Sequence, residues 1–142
     1  MRADIRTDYG RIRNGVPSLL NICHEAVRNA GFRAVLLYRI GRWCRARKLR
    51  LFALICERMM HHLCHCWISL AAEIGPGFLI AHVGGIVIGG STKIGANCDI
   101  RQNVTFGGNF NKTDRNGRDQ PLVEDSVSVG AGAVIVGPVL LG

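Results

Sequence analysis

A single histidine stands among small residues in the second half of the chain. His82 lies in A-H-V-G-G (Ala81–Gly85) and is the only histidine after residue 65. An imidazole changes charge near neutrality, so it can take a proton from an alcohol at physiological pH. Gly84 and Gly85 beside it let backbone N–H groups approach a reacting carbonyl, which is what an oxyanion site requires. A second group of candidates is H-H-L-C-H-C (His61–Cys66). On a helix, His61, Cys64 and His65 would share one face. A structural zinc needs four ligands, however, and no second Cys/His pair follows at zinc-site spacing. That segment reads as packing, and no metal is expected. The chain has neither a phosphate-cradling glycine loop of the nucleotide-hydrolase type nor a G-x-S-x-G elbow.

The elements that must position His82 announce themselves through a period of six. Large apolar residues recur as Ile68, Ile74, Ile80, Ile86, then Ile88, Ile94, Ile100, Phe106, then Val123, Val129, Ile135, Leu141. Neither an α-helix nor a simple alternating strand gives that spacing. A fixed hexad period marks a parallel β-helix, in which each hexad forms one flat side of a coil. The expected fold is therefore mainly β, preceded by a small α-helical region. Residues 1–66 form that helical region and residues 67–142 the β-helix. Within the first part, Leu19–Val27 reads as a helix opened by Pro17 and Ser18 and closed by Gly31. Phe32–Lys48 and Leu49–Leu63 read as two more.

Two irregularities break the count. The register slips by two residues between Ile86 and Ile88, just after the His82 segment. Between Phe106 and Val123 a polar stretch intervenes, so residues 107–122 must leave the coil as a loop. Loops on a rigid scaffold are where binding groups tend to sit. The slip and the loop are about one coil apart, which suggests that His82 and the 107–122 loop are neighbours in space.

Charge is divided unevenly. Residues 1–66 hold 13 Lys/Arg against 4 Asp/Glu, a balance of +9; residues 67–142 hold 5 against 6, and the whole chain carries +8. The cations are densest from Arg39 to Arg50, with Arg42, Arg45, Arg47 and Lys48 between. A solvated helix face is the first reading of such a run. Peripheral contact with an anionic membrane surface is the second. Nucleic acid is not expected, because no binding motif or interleaved aromatics accompany the arginines. The six cysteines have no disulfide-framework spacing, and the charged N-terminus does not look like a signal peptide. Free thiols and a cytoplasmic location follow as the expectation. No apolar run reaches the ~18 residues of a transmembrane helix.

Three stretches carry a family resemblance: G-F-R-A-V-L-L-Y-R-I-G-R-W (Gly31–Trp43), A-A-E-I-G-P-G-F-L-I-A-H-V-G-G-I-V-I-G (Ala71–Gly89) and I-R-Q-N-V-T-F-G-G (Ile100–Gly108). The chain resembles the serine acetyltransferase family of hexapeptide-repeat acyltransferases. The resemblance implies a left-handed β-helix and a homotrimer, with acetyl-CoA as co-substrate along the groove between subunits. It implies that His82 is the general base that deprotonates an acceptor hydroxyl. It implies Gly107, Gly108, Lys112, Arg118 and Gly130, Ala131, Gly132, Ala133 as cofactor-binding positions; Arg101 and Arg115 are further cations available for coenzyme A phosphates. Asp119 and Gln120 fall at the acceptor.

The departures are as specific as the matches. Ala81 stands where the family has an aspartate before its histidine, Trp67 where it has another, and Gln120 where it has a second histidine. In the family those groups hold serine and orient its histidine. The acceptor is accordingly L-serine or a saccharide hydroxyl. The alternative reading is a non-catalytic trimeric scaffold or a truncated enzyme, since the last hexad stops at Leu141-Gly142 and relatives continue with a further coil.

Overall fold

The computed structural model describes residues 1–109 and 112–142, so Phe110 and Asn111 of the 107–122 stretch lie outside the described residues. From Cys66 onward the chain makes short strands: β1 Cys66–Ile68, β2 Glu73–Ile74, β3 Leu79–Ile80, β4 Ile86–Ile88, β5 Lys93–Ile94, β6 Asp99–Ile100, β7 Thr105–Gly107, β8 Leu122–Val123, β9 Ser128–Val129, β10 Val134–Val136 and β11 Leu140–Leu141. Every third strand pairs in parallel, giving three sheets in the orders β1-β4-β7-β10, β2-β5-β8-β11 and β3-β6-β9. The sheets, called here first, second and third, are the three sides of a triangular coil.

Register explains the period. Ile68 is opposite Ile88, which is opposite Phe106; Ile74, Ile94 and Val123 form a second column, and Ile80, Ile100 and Val129 a third. In a strand alternate side chains face opposite ways, so one inward residue per side gives one apolar position per hexad. All nine are buried. Ile86 and Ile88 are both buried because Ile86 continues the column of Cys66. The two-residue slip is absorbed in the bend 81–85.

The corners need backbone that ordinary residues resist. Gly77, Asn97 and Ser126 stack at the edge between second and third sheets, and Gly85, Asn103 and Gly132 at the edge between third and first, all with positive φ. Glycine and asparagine take that conformation at least cost. Each turn is bonded to the one below, as in Asn103 N–H to Gly84 O at 2.8 Å and Gly132 N–H to Gln102 O at 3.0 Å.

Four helices precede the coils: α1 Arg2–Gly10, α2 Leu19–Arg28, α3 Ala30–Ala46 and α4 Arg50–Cys64. Ser18 and Asn29 cap α2 and α3 by accepting from Asn21 N–H and Phe32 N–H. Gly31 does not close a helix as expected. It lies inside α3, where an added Cβ would collide with the Ile80 carbonyl oxygen, so it lets α3 sit directly on the third sheet.

The basic run also corrects the sequence reading. Arg39 is buried, not solvated: its guanidinium takes both oxygens of buried Asp8, at 2.9 and 3.1 Å, and the carbonyls of Ile74 and Gly75, each at 2.6 Å. Asp8 also accepts from Phe78 N–H at 3.0 Å. Burial pushes the Asp8 carboxyl above its ordinary value, while the Arg39 contacts and the backbone donors pull it back. Arg42 bonds the carbonyls of Ala71 and Ala72, and the Tyr38 hydroxyl donates to Ala72 O at 2.7 Å. The open end of the first coil has carbonyls that no preceding coil can pair, and α3 supplies their donors. Arg45, Arg47, Lys48 and Arg50 remain exposed. No helix among the described residues is long and apolar enough to cross a membrane.

Candidate active site

His82 is exposed in the bend that carries the chain from the third sheet to the first. The bend is held from the next coil on both sides of the imidazole: Ala81 N–H donates to Ile100 O at 3.0 Å and Gly84 O accepts from Asn103. Gly85 is exposed with φ 63°, and its missing Cβ makes room for the Asn103 side chain. Gly84 is turned otherwise. Its N–H approaches the sulfur of Cys66, opposing the rise that burial imposes on that thiol. Of the two glycines, Gly85 is the more exposed.

Gly130–Ala133 occupies the same edge as His82. That edge stacks the bend 81–85, the turn 101–104 and the turn 130–133, so Gly130–Ala133 lies two coils, or about 10 Å, along the axis from the histidine. Gly130, Ala131 and Gly132 are exposed, and a Cβ added at either glycine would meet nothing within 4 Å. The bare backbone forms an open shelf. Arg101 is exposed between the two.

The 107–122 loop lies elsewhere, which overturns the expected proximity to His82. It joins β7 to β8, at the edge between first and second sheets, whereas the His82 bend is at the opposite edge of the first sheet. Gly107 ends β7 and accepts from Gly137 N–H at 2.9 Å, and Gly108 is exposed beside Asp119. Gln120 pins the loop's return: its Oε1 accepts from Ser91 N–H at 3.1 Å and Thr92 Oγ1 at 3.0 Å, and it lies over Gly89. Lys112 and Arg115 are exposed. Arg118 is committed within the loop, 3.1 Å from Asp114 and donating to Pro138 O at 3.3 Å. The Asp114 carboxyl is held below its usual range, chiefly by the Arg118 N–H.

Sequence reasoning passed over one cleft. About 650 Å³ in volume, it lies between α4 and the first sheet, lined by Glu57, Arg58, His61, Trp67, Ser69 and Gly89–Gly90 among others. A larger cleft of about 790 Å³ crosses the second sheet around Glu73, Lys93 and Glu124, and none of the expected site residues lines it. The H-H-L-C-H-C segment divides its side chains: Cys64 and Cys66 are buried, His61, His62 and His65 exposed, and His65 ends α4 with φ 50°. Among the described residues no group of three or more His, Cys, Asp or Glu could hold a metal ion.

Comparison with known proteins places this geometry. Serine acetyltransferases of Synechococcus elongatus and Escherichia coli K12 are 31% and 32% identical to it, each alignment covering the whole chain, with 55% and 51% of the relative. The chain is a homologue of serine acetyltransferases. No family model matches it. Solved serine acetyltransferases agree in fold: that of Brucella abortus in complex with coenzyme A has TM-score 0.76 at 26% identity, covering 99% of this chain and 54% of that one. That of Neisseria gonorrhoeae in complex with serine has TM-score 0.76 at 27% identity, covering 99% and 55%. The chain spans about half the length of the curated serine acetyltransferases it matches, and its hexapeptide-repeat β-helix is the fold of that family.

Proposed function

We propose that this chain is an acetyl-CoA-dependent O-acetyltransferase in which His82 is the general base. The observation that carries the reading is the alignment of exposed His82 and the bare Gly130–Ala133 shelf along one edge of a β-helix homologous to serine acetyltransferases. His82 accepts the proton of the acceptor hydroxyl as that oxygen attacks the thioester carbonyl. The Gly85 backbone faces the oxygen that gains charge, and the protonated imidazole returns its proton to the departing sulfur. The coenzyme arm packs along Gly130, Ala131, Gly132 and Ala133, whose side chains are no larger than a methyl group. Gly107, Gly108 and Lys112 border the far edge of the same sheet face; Arg118 acts there by holding the loop through Asp114.

A site that uses both His82 and the Asp119–Gln120 end of the loop takes them from two copies, because one chain holds them on opposite edges of the first sheet. A closed ring of three copies, each presenting its His82 edge to the neighbour's loop edge, satisfies this and supports the homotrimer. The division into a helical region, 1–66, and a left-handed β-helix, 67–142, belongs to the same proposal, as does a cytoplasmic enzyme with reduced thiols. Peripheral membrane contact falls to Arg45, Arg47, Lys48 and Arg50, since Arg39 and Arg42 are engaged within the fold. The acceptor is L-serine or a saccharide hydroxyl.

Thiol release from acetyl-CoA, measured with L-serine and a saccharide panel, tests the reading. His82→Ala should lower turnover about 10²–10⁴-fold with an unchanged melting temperature, since the side chain is exposed. If no acceptor gives turnover above the His82→Ala background, the chain is a non-catalytic scaffold.

A further inference from the structure

We propose that the cleft between α4 and the first sheet is the acceptor subsite, and that Trp67 is the platform on which a saccharide ring stacks. The inference rests on the acetyl-transfer reading for the word acceptor, but the binding it asserts does not. Trp67 lies between Cys66 and Ile68, both with no exposed surface, while it is itself 64% exposed. Strand alternation thus holds the indole outward on a rigid support. It stands in register with Val87 and, beyond it, Thr105 and Val134, so the outer face of the first sheet is an apolar to weakly polar strip. The outward indole lies outside the buried core. Flat apolar area of this kind suits the C–H face of a pyranose ring.

The rim supplies what the ring's hydroxyls need. Glu57 offers acceptors, Arg58 donors and Ser69 both, at one cleft with Trp67. Gly89 and Gly90 keep its floor low: a Cβ at Gly90 would stand 3.2 Å from the Ser69 hydroxyl, and one at Gly89 would meet Gln120. Gln120, at the end of the loop, thus lies directly beside the Gly89 part of that floor. Volume discriminates between acceptors. Pockets of about 300–1,000 Å³ take ligands well above amino-acid size, and about 650 Å³ fits one or two sugar rings. Free serine would leave most of it filled with water and the indole untouched.

Trp43 and Trp67 are the two tryptophans of the chain, so Trp43→Phe isolates the emission of Trp67. In that background, with His82→Ala added and no acetyl-CoA present, the protein is titrated with the methyl glycosides of glucose, galactose, mannose and N-acetylglucosamine, their short oligomers, and L-serine. A saturable blue shift with a saccharide and none with serine is expected. In the transfer assay, Trp67→Ala should raise the saccharide KM about tenfold, equivalent to about 1.4 kcal/mol, leave the acetyl-CoA KM unchanged, and be partly rescued by Trp67→Phe. A response to serine alone, no response to any saccharide, or a saccharide KM indifferent to Trp67→Ala overturns the proposal. Because the titration needs neither His82 nor acetyl-CoA, saccharide binding without turnover would count against the transfer reading and not against the cleft.

Discussion

The first sheet has two edges, and they are built in opposite ways. The edge that carries His82 is a stack of short turns, each bonded to the next coil and kept tight by Gly85, Asn103 and Gly132 at positive φ. Its exposed groups are mostly backbone, with the His82 imidazole and the Arg101 guanidinium. The other edge carries an eleven-residue excursion beyond the hexad count, between Ile88↔Phe106 and Val123, in which Asp114 pairs with Arg118 and whose return is fixed by Gln120. The first edge gains its order from stacking, the second from its own side chains. On the proposed reading, the base that must stay in place is on the first edge, and the groups that select an acceptor are on the second, where residues can change without disturbing the coil. On that same reading, neither edge of a single chain holds a whole site.

The most decisive way to break this comparison is to mix copies. His82→Ala and a variant with residues 109–119 replaced by a short Gly/Ser linker should each be nearly inactive alone. Unfolded and refolded together, they should recover activity, because some rings then place an intact His82 edge against an intact loop edge. Recovery absent at every mixing ratio, with trimers confirmed by mass, would put the whole site in one chain.

The next largest effect is expected where the helices grip the coils. Asp8→Ala leaves the Arg39 guanidinium buried without its carboxylate, and breaking a buried pair this way costs about 3–5 kcal/mol. Chemical denaturation should show that loss, whereas the loop linker variant should unfold at nearly the wild-type midpoint. Equal destabilisation by both would mean that the loop is as structural as the clamp.

This contrast also shows what was legible in the sequence. The nine buried hexad residues could be read because each coil side contributes one inward residue at a fixed interval. The slip and the excursion were equally visible as miscounts. Their spatial relation was not: a bend after the third side and a loop after the first stand on different edges, and only the position within each coil separates them. Arg39 was misread for a different reason. Its partners, Asp8 and the carbonyls of Ile74 and Gly75, are 31 to 36 residues away, so locally it resembles the exposed cations that follow it. Trp67 was visible as a departure from the family pattern, but its cleft depends on α4 folding over the first sheet.

Two glycines sharpen the comparison at smaller cost. Gly85 and Gly117 both have positive φ, 63° and 74°, one on each edge. A Cβ at Gly117 would meet nothing within 4 Å, while one at Gly85 would strike the Asn103 amide. Gly117→Ala should therefore show only the left-handed backbone penalty, about 1–2 kcal/mol, with kcat unchanged. Gly85→Ala should cost more and lower kcat as well, since the Asn103 side chain must swing away from the turn that holds His82. Combining it with Asn103→Gly removes the clash and leaves the backbone term, so the double-mutant cycle should show a favourable coupling of at least about 0.5 kcal/mol. Additive effects would mean that the His82 bend tolerates displacement as readily as the loop does.

The smallest expected effect concerns Arg118, which by family resemblance would bind the coenzyme. Its guanidinium is turned to Asp114 and the Pro138 carbonyl, and both members of the pair are partly exposed. Exposed pairs of this kind contribute little to stability. Arg118→Ala should leave the unfolding midpoint nearly unchanged and change the acetyl-CoA KM by less than about threefold, a shift under about 0.7 kcal/mol. Asp114→Ala is the informative partner. If Arg118 only holds the loop, the two variants should behave alike. If Asp114→Ala instead tightens acetyl-CoA binding while Arg118→Ala weakens it, the pair is a store from which the guanidinium is released to the phosphates, and the loop edge contributes to the coenzyme as well as to the acceptor.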